Sequence, residues 1–60
     1  MTYMMMDDRE LERLRARVVR VRPDDDEIRT FLGVIYGLPG DWMFYRLKSG
    51  AVVKWYDDGR

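Results

Sequence analysis

Cysteine and histidine are both absent from this 60-residue chain, so no disulfide and no thiolate or imidazole zinc site can staple it together. A domain of this length buries only about 60% of the surface its unfolded chain exposes. Side-chain packing, or association with another surface, has to hold the fold.

The same gap limits chemistry. Asn and Gln are missing too, and Thr2, Thr30 and Ser49 are the only hydroxyl residues besides four tyrosines. General bases, nucleophiles and oxyanion-hole donors come mostly from the missing types. The chain therefore reads as a non-catalytic binding module, with no cofactor, no metal and no small-molecule substrate expected.

Formal net charge is zero, so no overall field draws the chain to nucleic acid or to an anionic membrane. The charge is sorted along the sequence, however. Arg9, Arg13, Arg15, Arg17, Arg20 and Arg22 crowd the first third with only Glu10 and Glu12 among them, and Asp24, Asp25, Asp26 and Glu27 follow at once. No apolar run approaches the length of a membrane span and no signal-peptide pattern is visible, which makes the cytoplasm the expected location. The chain is read as one small domain, 1–60, with residues 1–6 frayed.

Several segments carry structural signals. Ile28, Phe31, Leu32 and Ile35 stand at i, i+3, i+4 and i+7, which predicts a helix over 24–36. Asp24 and Glu27 make a capping-box pattern at its start, and Gly37 and Pro39 close its end, with Leu38 available for the apolar contact past the C-cap. Gly33 inside this stretch is expected to mark close approach to another element, since Gly in a helix costs about 1 kcal/mol relative to Ala. Pro39-Gly40 suits a type II turn. Residues 42–47 and 51–56 then predict a C-terminal β-hairpin about Ser49-Gly50. Asp7 and Glu10 form a second capping pattern, and 7–22 reads as a helix over about 7–15 followed by a strand over about 17–22, with continuous helix for 16–22 as the competing reading.

The fold class expected is α+β, in the order α-β-α-β-β, with helix 24–36 packed on a small three-stranded antiparallel sheet. The alternative is two helices plus a hairpin, winged-helix-like. With Lys48 pairing Ala51 across a two-residue loop, Trp42, Phe44, Val53 and Trp55 would share the core face. Tyr45, Lys54 and Tyr56 would point the other way with Arg20 and Arg22, and those five residues are the expected protein-binding surface, enriched in hot-spot side chains. The partner would be a larger protein or a second copy in a homodimer, and an inhibitor or adaptor of phage or mobile-element type fits the size. The competing function is non-specific nucleic-acid binding through Arg13, Arg17, Arg20 and Arg22. The acidic run 24–27 is read as a helix cap rather than as a metal site.

Overall fold

The computed structural model describes residues 5–59 and shows a small compact α+β unit: one short helix and a four-stranded mixed sheet. Its elements are α1 (Asp8–Arg13), β1 (Arg17–Val19), β2 (Ile28–Ile35), β3 (Asp41–Leu47) and β4 (Val52–Asp57). The sheet runs β1-β4-β3-β2, with β1 parallel to β4 and the other two pairs antiparallel. The three-stranded antiparallel sheet and the second helix of the sequence reading are both corrected by this topology. Residues 1–4 of the segment expected to be frayed lie outside the described residues.

The first helix starts as its sequence requires. The Glu10 N–H donates to Asp7 Oδ1 at 2.9 Å and the Asp7 N–H donates to Glu10 Oε1 at 3.2 Å, a complete capping box. It ends at Arg13, and Arg15 leaves in the left-handed region at φ 53. The strand that follows stops at Val19, short of the expected 22.

The largest correction concerns 24–36, which is a turn and a strand. The capping residues close one turn only: the Glu27 N–H donates to the Asp24 carbonyl at 2.9 Å, and the Asp24 N–H reaches Glu27 Oε1 at 3.4 Å. From Ile28 the chain is extended, in keeping with its β-branched and aromatic content. Two register shifts explain part of the helix-like spacing. Arg29 and Leu32 are extra residues against β3, so that Ile28, Phe31 and Val34 pair with Leu47, Tyr45 and Met43 on one face. A strand that gains a residue at each bulge repeats its face every three residues, which puts Ile28 and Phe31 of the helix-like set on one face, while Ile35, opposite Trp42, falls on the other.

Across the hairpin, the Leu47 N–H donates to the Ala51 carbonyl at 2.8 Å, so the loop is Lys48-Ser49-Gly50, with Gly50 at φ 96. Arg46 pairs with Val52, Phe44 with Lys54 and Trp42 with Tyr56, while Tyr45 pairs with Val53 and Met43 with Trp55. This is one residue away from the expected register, and a one-residue slip sends every β4 side chain to the other face. Val53 and Trp55 therefore leave the Trp42 and Phe44 face, and Lys54 and Tyr56 join it.

Both faces contribute to the core, whose buried apolar residues are Leu11, Phe44, Tyr45 and Val53. α1 lies over the Phe44 face. A Cβ on Gly33 would sit 3.1 Å from Leu11 Cδ1 and 3.0 Å from the Met6 carbonyl oxygen, and Gly33 also has φ +152. The close approach expected of Gly33 is real, although the glycine sits in a strand. The Met6 N–H donates to the carbonyl of the bulged Leu32 at 3.1 Å, which fastens the entry to α1 onto β2. On the opposite face, Phe31 packs on Tyr45 with ring centroids 5.5 Å apart, and Arg22 reaches over the Tyr45 ring at 5.6 Å.

Candidate functional site

The connection from β2 to β3, Tyr36-Gly37-Leu38-Pro39-Gly40, forms the tip of one end of the sheet. Leu38 is 99% exposed and Tyr36 77%. The loop is nonetheless tied down at both ends. The Gly37 N–H donates to Asp41 Oδ1 at 3.1 Å, and Gly40 is buried so closely against the end of β4 that a Cβ there would run into the Asp57 carbonyl and the Asp58 Cα. The Leu38–Pro39 peptide bond is cis, and the positive-φ glycines among the described residues are Gly33, Gly50 and Gly59, so the type II turn expected at Pro39-Gly40, which needs positive φ at Gly40, is not formed.

The last rungs of the β3–β4 ladder adjoin this loop. Trp42 stacks obliquely on Tyr56 at 5.0 Å between centroids, and Lys54 places its ammonium 5.0 Å from the Trp42 ring and 5.9 Å from that of Phe44. Trp42, Lys54 and Tyr56 are half-buried, on the sheet face where α1 sets Leu11 against Gly33. Beside them Asp41 and Asp57 stand directly opposite one another. This end of the molecule thus presents exposed apolar and aromatic groups bordered by carboxylates.

The residues expected to form one binding surface are separated by this geometry. Lys54 and Tyr56 do share a face, but with Trp42, which the sequence reading gave to the core. Tyr45 is only 5% exposed and lies on the other face, beneath Arg22. Arg22 is engaged locally: its guanidinium donates to Asp25 Oδ1 at 3.0 Å and to the Pro23 carbonyl at 3.1 Å. Asp25 first, and the Tyr45 side chain second, push the Arg22 guanidinium further up from its ordinary value. Arg20 is exposed in the bend after β1.

The arginines expected to contact nucleic acid divide as well. Arg17 and Arg22 border a concavity with Val19, Val21, Pro23 and Leu47, whereas Arg13 lines a separate depression with Arg9, Glu12 and Arg15. In the acidic run, Asp24, Asp26 and Glu27 bring carboxylate oxygens within 4.8 Å of one another, all of them exposed, and the hydrogen bonds there serve turn closure.

Tyr36 and Leu38 escaped the sequence reading because a helix ending at 36 assigned Leu38 to a contact beyond its C-cap. The available signal was a lone leucine bracketed by Gly37, Pro39 and Gly40, a composition that makes a loop and offers an apolar side chain no periodic face to join. Comparison with protein-family models, characterised proteins and solved structures finds no match to this chain.

Proposed function

We propose that this protein is a small non-catalytic binding module, an inhibitor or adaptor that docks on a larger protein by the loop end of its sheet. Leu38 inserts as the anchor, Tyr36, Trp42 and Tyr56 widen the contact, and Lys54 and Asp41 supply polar selectivity at the edge. The observation that carries this reading is an almost fully exposed leucine on a loop fastened at both ends. Fastening lowers the ordering cost of association, and tryptophan and tyrosine are the side chains most enriched where interfaces concentrate their binding energy.

Burying one leucine contributes about 1.5–3 kcal/mol, which is roughly a 10- to 150-fold change in affinity. Affinity capture from the source cell should retain a defined partner with the natural chain and lose it with Leu38→Asp, at unchanged circular dichroism. Light scattering of the purified protein supplies a check on the type of partner: a stable dimer that Leu38→Asp dissociates would replace the larger protein by a second copy.

A further inference from the structure

The connection from α1 to β1 gathers a different chemistry. Arg9 and Arg13 stand one helical turn apart on the same face, Arg15 follows the C-cap Leu14, and with Glu12 the three line an open depression of about 450 Å³. All four described lining residues are charged, and all are exposed. Among the described residues no carboxylate lies within 4.0 Å of Arg9, Arg13 or Arg15; the ion pair formed in this part of the chain is Arg22 with Asp25. Of the eleven carboxylates, Asp7 and Glu10 are tied into the capping box of α1, Asp8 and Glu12 share its segment with the arginines, and the other seven lie at 24–27, 41, 57 and 58. Backbone geometry adds an independent observation. Arg15 holds φ 53, and it is the one non-glycine residue with positive φ among those described. Glycine makes such a turn without conflict, so a side chain at 15 carries a conformational cost.

We infer that Arg9, Arg13 and Arg15 bind the phosphodiester backbone of a nucleic-acid strand, on a surface separate from the sheet end. Guanidinium forks match phosphate oxygens in pairs. A depression whose described lining residues are all charged suits a charged ligand better than an apolar peptide side chain. With no side-chain amide in the chain and no aromatic ring among the described residues that line the depression, contact is to the backbone and indifferent to base sequence. Glu12 opposes the ligand from within the site.

Fluorescence anisotropy with labelled mixed-sequence single-stranded RNA and DNA tests this. Three phosphates neutralised give a slope of log K against log salt of about −2, so affinity should fall about 20-fold between 50 and 200 mM salt. Arg13→Glu should weaken binding at least 10-fold, Glu12→Gln should tighten it several-fold, and Arg15→Gly should weaken it without lowering the Tm. Leu38→Asp should leave strand binding unchanged, which keeps this site distinguishable from the protein-docking surface. Absence of binding at 50 mM salt, or binding indifferent to Arg13→Glu and Glu12→Gln, would overturn the inference. So would displacement of the strand by an equal concentration of inorganic phosphate, which would reduce the site to one for the free anion.

Discussion

Replacing Gly33 with alanine reverses the sign expected of a routine glycine substitution. Were residue 33 inside a helix, as its neighbours' spacing implies, Gly→Ala would stabilise by about 1 kcal/mol. In the bulged strand β2 the new methyl meets the Met6 carbonyl oxygen at 3.0 Å and Leu11 Cδ1 at 3.1 Å, at a backbone φ of +152 that side chains rarely adopt. Backbone strain of this kind costs roughly 1–3 kcal/mol and overpacking a further 1–3 kcal/mol. The sum, about 2–6 kcal/mol, compares with a total of roughly 3–9 kcal/mol for a domain of this length. Urea titration followed by circular dichroism should show the midpoint falling by half or more, with the variant partly unfolded in buffer. A midpoint that rises, or that stays within about 0.5 kcal/mol of the natural chain, would refute both the strand assignment of 28–35 and the seating of α1 over it.

Two further perturbations probe the same framework. Leu11→Ala removes the one fully buried side chain that α1 contributes to the core, and should cost about 2–5 kcal/mol, read as a loss of cooperative thermal unfolding; a shift of a few degrees would mean that α1 is dispensable. Asp41→Asn relieves the like-charge pair with Asp57 while keeping an oxygen to accept the Gly37 N–H, and should stabilise by a few tenths to about 1 kcal/mol in a way that fades with added salt. Destabilisation by Asp41→Asn would show that the charge itself holds the loop.

The parts of the fold that were legible in the sequence are those fixed by neighbouring residues. The Asp7/Glu10 capping box starts a helix where it should, and strands 41–47 and 52–57 lie within a residue of the expected hairpin. What escaped depends on contacts between distant segments. β1 pairs in parallel with β4 across more than thirty intervening residues, and no local pattern encodes that choice. The bulges at Arg29 and Leu32 are set by pairing with β3, and they gave part of a strand the periodicity of a helix. The hairpin slipped by one because Ser49-Gly50 also fits a three-residue loop with Gly50 in the left-handed region, and that slip moved Tyr45 away from Lys54 and Tyr56. Candidate site residues were therefore recognised by type, while their grouping had to come from the sheet.

The central claim is that the loop end of the sheet is a protein-docking surface anchored by Leu38. Its most direct test is affinity capture with the natural chain and Leu38→Asp side by side, each first shown to be folded. The account predicts a stoichiometric partner retained by the natural chain and reduced at least 10-fold by the variant. Equal retention of that partner by both chains would contradict it.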